Sequence, residues 1–360
     1  MFDSWLTPAP LPDDTFPAHS LGKRLATNPE RCNVGLIGLD RQAARKTREY
    51  LYATVWDFDQ LSITDLGDLR KTTNDFAIPL LRELHTSGIT PILIGCSDQL
   101  LTAQYLAFNE LNRQVNLLSV DSQVQLSATE PERRLALDAA VYRKERGTFH
   151  LTHVGGQQHL VDPALWSLFD ANNYEAIRLG EARASVAELE PQIRDADLLG
   201  FNIRALNHYD APARARIQPS GFDLQEASQL AYYAGNSDKL SSFGLYGMHA
   251  KDHTETEVNL TAASYAQLIW YFLLGHSRRV GDFPLDTTGF KEYVVDMRGD
   301  ISLRFFRSPV TQRWWCELPP SETKGEERNR YVACSNQDYL TATQEQILPN
   351  RLVRAFRRYG

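Results

Sequence analysis

The chain has 360 residues, 42% of them hydrophobic and 23% charged, which suits one large α/β domain with an appendage or two domains. Its 38 basic and 45 acidic residues give a formal net charge of −7, which argues against a nucleic-acid partner. Four scattered cysteines (Cys32, Cys96, Cys316 and Cys334) without a CxxC spacing read as reduced thiols of a cytoplasmic protein, and no run reaches the ~18 apolar residues of a membrane span.

Residues 1–30, rich in Pro, Asp and Ser, read as a segment wrapping the surface, with no signal peptide over Met1 to Pro17. Asn33 to Asp40 reads as a buried parallel strand ended by glycine and aspartate. Gln42 to Ala53 follows as a helix with a charged face of Arg41, Arg45, Lys46, Arg48 and Glu49. A strand near Leu61 to Thr64 runs into Asp65-Leu66-Gly67-Asp68, and Asn74 to His85 is an amphipathic helix. The strand Thr90 to Gly95, the helix Gln99 to Asn112 and the strand Val115 to Val120, ending at Asp121, continue the alternation.

Further strands are predicted at Leu151 to Val154, Tyr174 to Arg178, Leu198 to Ile203 and Ser242 to Met248, and a closing helix at Leu260 to Leu274. A strand–loop–helix unit repeating about every 30 residues argues for a doubly wound parallel sheet, whose sites collect beyond the carboxyl ends of the strands. After Phe283-Pro284 the pattern changes to short strands at Glu292 to Asp296, Ile301 to Arg307, Gln312 to Glu317 and Tyr331 to Cys334. Turns at Arg298-Gly299-Asp300 and Ser308-Pro309 and a charged loop over Pro319 to Asn329 separate them, as in a small antiparallel add-on. A basic helical segment with Arg351, Arg354, Arg357 and Arg358 ends the chain and reads as a solvated face.

Several segments occur in an order that resembles the arginase/agmatinase/formimidoylglutamase (ureohydrolase) family over roughly residues 33–280. Asp210-Ala211-Pro212, Gln218-Pro219-Ser220-Gly221-Phe222 and Tyr233-Ala234-Gly235-Asn236-Ser237-Asp238-Lys239 look like its formimidoylglutamase-like branch. Phe243-Gly244-Leu245-Tyr246 and the helix through Trp270-Tyr271-Phe272 sit where that family has its last core strand and helix. Arg307-Ser308-Pro309 and Arg313-Trp314-Trp315 are similar to an extension found in a bacterial subset of the branch. The resemblance implies a three-layer α/β arginase-like fold over residues 31–281, preceded by the surface segment 1–30 and followed by a small β-rich extension over 282–360. It also implies assembly as a homo-oligomer.

Active members of that family hold two Mn²⁺ ions about 3.5–4 Å apart, with a shared hydroxide as nucleophile. Six side chains hold them: a histidine after the third strand, an Asp-x-His-x-Asp after the fourth and a late Asp-x-Asp. On this chain the first motif reads Gly95-Cys96-Ser97-Asp98-Gln99, with Asp98 at the histidine position. The second reads Asp121-Ser122-Gln123-Val124-Gln125, keeping Asp121 and replacing two ligands by Gln123 and Gln125. The third reads Asn202-Ile203-Arg204, and a glutamate used near the substrate falls on Gly247.

Four aspartates balance two divalent ions in the family; here Asp98 and Asp121 face the positive charge of Arg204, so the pocket is close to neutral without metal. Amides are weak neutral ligands for a transition metal, and a guanidinium cannot ligate at all. Arg204 is therefore expected to occupy the metal space and to bond Asp121, Asp98 or both. The alternative has these residues as ordinary loop polars.

Other candidates have plainer readings beside them. His249 and His253 are four apart, a spacing for two ligands on one helical face or simply two residues of an exposed loop. His153, within Thr152-His153-Val154-Gly155-Gly156-Gln157, lines a cleft or is a structural strand histidine. Cys96 stands at a strand end where a nucleophile would, or is an inert thiol. Trp314 and Trp315 with Phe305 and Phe306 form a partner surface or pack the add-on onto the main domain.

The sequence thus predicts a catalytically degenerate ureohydrolase homologue with a binding, regulatory or structural role, no bound cofactor and an unidentified protein partner or small ligand. The alternative is an active hydrolase of linear amidines (formimidoylglutamate, arginine or agmatine type) using manganese at an altered site, with Asp98 and Asp121 as the remaining ligands.

Overall fold

A computed structural model describes residues 2–9, 16–58, 60–111, 115–129, 135–142, 149–298, 301–318 and 330–359. The predicted turn at Gly299-Asp300 and the charged loop over 319–329 lie outside the described residues.

Strands β1 (Leu6–Thr7), β2 (Val34–Gly38), β3 (Ile63–Leu69), β4 (Thr90–Ile94), β5 (Asn116–Val120), β6 (His150–Gly156), β7 (Glu175–Arg178), β8 (Leu198–Asn202) and β9 (Phe243–Tyr246) form one sheet in the order β1-β3-β2-β4-β9-β8-β5-β6-β7. All its pairings are parallel except β1 with β3. Every residue of β2, β4, β5, β6, β8 and β9 is buried, as strands covered on both faces require. On one face Leu36, Ile94, Val120, Phe201 and Leu245 pack with Ala43, Leu230 and Leu268 of the helices Arg41–Ala53, Leu224–Gly235 and Glu255–Ser277. On the other, Ile37, Leu93, Leu117 and Leu198 pack with Leu81, Tyr105 and Phe169 of the helices Asn74–Thr86, Leu100–Glu110 and Pro163–Ala171.

Two of these helices touch at their backbones. A Cβ on Gly235 would lie 2.0 Å from the Phe272 carbonyl oxygen, and one on Gly275 would lie 2.3 Å from that of Tyr232. Only glycine fits at either place. The contact fixes the Glu255–Ser277 helix against the Leu224–Gly235 helix.

The chain departs from its sequence reading at one edge of the sheet. The surface segment contributes β1, and its Phe2 and Leu6 are buried. β3 continues through Asp65 to Leu69, because Arg48, only 3% exposed, neutralises the carboxylates within it. Its guanidinium bonds Asp65 and Asp68, each at 2.6 Å, and so is not part of a solvated face.

A second, fully antiparallel sheet consists of β10 (Lys291–Met297), β11 (Ile301–Arg307), β12 (Trp314–Glu317) and β13 (Tyr331–Cys334), in that order. One side packs Val295, Phe305, Trp314 and Val332 with Leu352 and Ala355 of the terminal Asn350–Tyr359 helix. On the other side Trp315 is 1% exposed, with the Arg194 guanidinium carbon 4.5 Å from its ring centre. Arg194 also donates to the carbonyls of Trp314 and Cys334, each at 3.3 Å. The two tryptophans and Phe305 and Phe306 are thus buried in packing.

The terminal arginines are mostly anchors, not the solvated face their pattern predicts. Arg351 donates to the Pro191 carbonyl at 3.0 Å and Arg354 to that of Tyr174 at 2.5 Å. Arg358 donates to Asn173 at 2.9 Å, and Arg357 alone of the four is exposed.

Candidate functional site

The chain crosses from β4 to β5 over a gap later filled by β9 and β8, so strand order reverses across these four neighbours. Beyond their carboxyl ends lies the crevice where doubly wound sheets place their sites. Four sequence-predicted residues meet there: Asp98 follows β4, Asp121 follows β5, Asn202 ends β8 and Arg204 lies in the 3₁₀ turn Ile203–Ala205.

Arg204 sits between the two carboxylates. Its Nη2 donates to Asp98 Oδ2 at 2.8 Å and to Asp121 Oδ2 at 2.6 Å, and its Nε donates to Asp121 Oδ1 at 3.1 Å. The fork on Asp121 is bidentate, the arrangement that suits a planar guanidinium. Arg204 and Asp98 keep 20% and 24% side-chain exposure, whereas Asp121 keeps 4%. Burial works against the Arg204 cation, yet Asp121 and Asp98 outweigh it and push its pKa above the ordinary value. Burial leaves the Asp121 carboxyl above its ordinary value, although Arg204 pulls against it.

The turn that aims Arg204 is built locally. Asn202 Oδ1 accepts from the Arg204 backbone N–H at 3.0 Å, and Asn202 Nδ2 reaches Asp98 Oδ2 at 3.4 Å. Gln218 Nε2 donates to the Arg204 carbonyl at 3.2 Å, while its Oε1 accepts from Ser122 Oγ at 2.9 Å, beside Asp121. Arg214, 2% exposed, holds the following loop by donating to the carbonyls of Ala211, Leu206 and Asn207 at 2.6, 2.8 and 2.5 Å. Burial among neutral carbonyls lowers its pKa to about 10. Gln218 and Arg214 carry the shape of the site, and sequence reasoning gave them no role. The Gln218-Pro219-Ser220-Gly221 landmark was the available signal for the first; the second has no sequence signature.

The remaining candidates lie beside this cluster without joining its ion pairs. Gln125 Nε2 donates to Gln123 Oε1 at 3.4 Å, and the Gln123 backbone N–H donates to Asp121 Oδ1 at 3.2 Å. His153 is fully buried within β6, its Nδ1 3.4 Å from Ser119 Oγ, and burial lowers its pKa to about 4. It is a neutral strand histidine. Cys96 is half-buried, and burial together with Asp40, Asp98 and Asp252 raises its pKa, the opposite of an activated thiol. His249 and His253 lie in the loop before the Glu255–Ser277 helix, with His253 Nε2 2.9 Å from the Arg214 carbonyl oxygen. Gly247 has φ +95°, and a Cβ there would lie 2.4 Å from Asn202 Oδ1, so this wall of the pocket has no room for a glutamate.

As a metal centre the donor set does not fit. Asp98 and Asp121 share one guanidinium nitrogen, their neighbours are amides, and no group of three or more His, Cys, Asp or Glu suited to a metal occurs among the described residues. A cation brought between the two carboxylates would have to displace Arg204.

No family profile and no curated protein matches the sequence. Solved structures do match. Trypanosoma cruzi formiminoglutamase with Mn²⁺ is 16% identical with a TM-score of 0.61, over 72% of this chain and 98% of that one. Formimidoylglutamase from Bacillus subtilis is 13% identical with a TM-score of 0.63, over 75% and 95%. Arginase from Bacillus cereus is 13% identical with a TM-score of 0.54, over 67% and 98%. The chain therefore has the fold of the formiminoglutamases and arginase, the fold its sequence motifs resemble.

Proposed function

We propose that this chain is a formimidoylglutamase-like member of the ureohydrolase family that has lost the two-manganese centre and serves a binding, regulatory or structural role. The observation that carries the reading is Arg204 on Asp98 and Asp121 at 2.8 and 2.6 Å. A guanidinium supplies no lone pair to a metal and stays protonated at any working pH. The surrounding Asn202, Gln123 and Gln125 offer only amide oxygens, which bind transition metals weakly.

His153, neutral and enclosed, has no open path to a reacting group. The hydrogen-bonded loops that hold Arg204 and Asp121 in place support a binding or structural role. No helix among the described residues is long and apolar enough to cross a membrane. The four free cysteines favour a cytoplasmic setting, and the family resemblance favours a homo-oligomer.

The test combines metal content with turnover. Purified protein is incubated with Mn²⁺, Zn²⁺ or Ni²⁺, freed of excess ion and analysed for metal. Urea and formamide release is then measured with arginine, agmatine and formimidoylglutamate. The reading expects substoichiometric metal and no turnover. Stoichiometric metal with release of either product overturns it in favour of a hydrolase with an altered site.

A further inference from the structure

We infer that Arg204 is a built-in structural cation, taking the electrostatic place of an ion between Asp98 and Asp121 and tying together strand ends that do not neighbour one another. β4 and β5, which carry the two carboxylates, are separated in the sheet by β9 and β8. No backbone ladder joins them. Arg204 reaches both from the end of β8, at 2.8 Å to Asp98 and 2.6 Å to Asp121.

Its backbone is fixed on both sides, by Asn202 Oδ1 on the N–H at 3.0 Å and by Gln218 Nε2 on the carbonyl at 3.2 Å. The guanidinium is thus held on a rigid stem. Asp121, 4% exposed, has little water to solvate it if the guanidinium is removed.

The inference rests on the same ion cluster as the proposed function but adds a ligand class. Arg204→Ala leaves a cavity bounded by two carboxylates and shaped by a planar guanidinium. Small guanidinium or amidinium cations match it in charge and in hydrogen-bond direction. Removing one partner of a buried pair leaves the other uncompensated, so the variant should lose roughly 4 °C in Tm.

The experiment is a thermal-melt series on wild type and Arg204→Ala with guanidinium chloride, acetamidinium chloride or sodium chloride at roughly 10 mM, far below denaturing levels. We expect the first two salts to recover at least half of the lost Tm in the variant, sodium chloride to recover none and the wild type to stay unmoved. A variant as stable as wild type, or equal responses to all three salts, overturns the inference. If Arg204→Ala does not fold, the neutral variant Asp98→Asn/Asp121→Asn/Arg204→Gln decides. It leaves no charge uncompensated and should fold, and failure to fold would show that charge compensation is not what Arg204 supplies. The melt series is run without metal and the functional test with it, so failure of the inference and failure of the functional reading are told apart.

Discussion

Acidification should destabilise this protein through histidines that the fold encloses as neutral rings. His150 and His153 are 4% and 0% exposed, and burial lowers both from 6.5 to about 4. The unfolded rings take up a proton near 6.5 and the folded ones only near 4. Their contribution to stability is complete above pH 6.5, is lost progressively as the pH falls from 6.5 and is gone below 4. At pH 5 each ring costs about 2 kcal/mol relative to neutral pH, at about 1.4 kcal/mol per pH unit.

Together they remove about 4 kcal/mol, a large share of a typical net stability. With an unfolding entropy of about 0.8 kcal/mol/K for a chain of this size, Tm drops by about 5 °C between pH 7.5 and pH 5. His276, lowered to about 3 by burial but only half-enclosed, adds a smaller amount of the same sign. Glu175, held at about 2 because His150 and Arg351 outweigh its burial, adds its loss only below pH 4.5. Calorimetry across this range, repeated on His153→Gln, checks the account. The variant should keep about half of the wild-type slope between pH 6.5 and 5. A wild-type Tm that does not move, or a variant slope equal to that of wild type, refutes the reasoning.

Three further variants probe the site and its support. Gly247→Ala forces a Cβ to within 2.4 Å of Asn202 Oδ1 at φ +95°, and should cost about 2 kcal/mol or more by denaturant titration. Trp315→Ala empties a fully buried position and uncovers the Arg194 guanidinium, 4.5 Å from the ring. It should cost about 3–5 kcal/mol, read as a lower unfolding midpoint. The pair Asn202→Asp/Arg204→Asp places four carboxylates in one crevice, so its metal-free Tm should fall below that of wild type and rise again with Mn²⁺. Saturation at a hundred times Kd would return about 2.7 kcal/mol. The absence of any Mn²⁺ response would mean that the crevice no longer holds ligand geometry.

Much of this architecture was legible because buried parallel strands are continuous apolar runs that end in glycine or aspartate. Val34 to Gly38, Thr90 to Ile94 and Asn116 to Val120 all follow that rule, and Asp98 and Asp121 could be placed beyond strand ends for the same reason. Several elements were hidden by their brevity or context, β1 and the Pro163–Ala171 helix among them. β1 is two residues long within a Pro-rich segment, and the Pro163–Ala171 helix has a cap at Asp162 but little periodicity. Charged residues that bond distant groups were the larger difficulty. Arg48, Arg351, Arg354 and Arg358 lie on helices whose pattern reads as solvated, yet each finds carbonyls or carboxylates on another element. Arg214 bonds carbonyls three to eight positions before it in a loop without periodicity, so no spacing rule reveals it. Gly247 was noted for the side chain it lacks. Its positive φ and its contact with Asn202 emerge only when β8 and β9 are brought together.

The most direct test of the central claim is a crystal structure of the wild-type protein soaked in Mn²⁺, with anomalous data collected at the manganese edge. The account predicts continuous density for Arg204 joining Asp98 to Asp121 and no anomalous peak between them. A pair of peaks in that crevice, with the Arg204 side chain swung out, would contradict it.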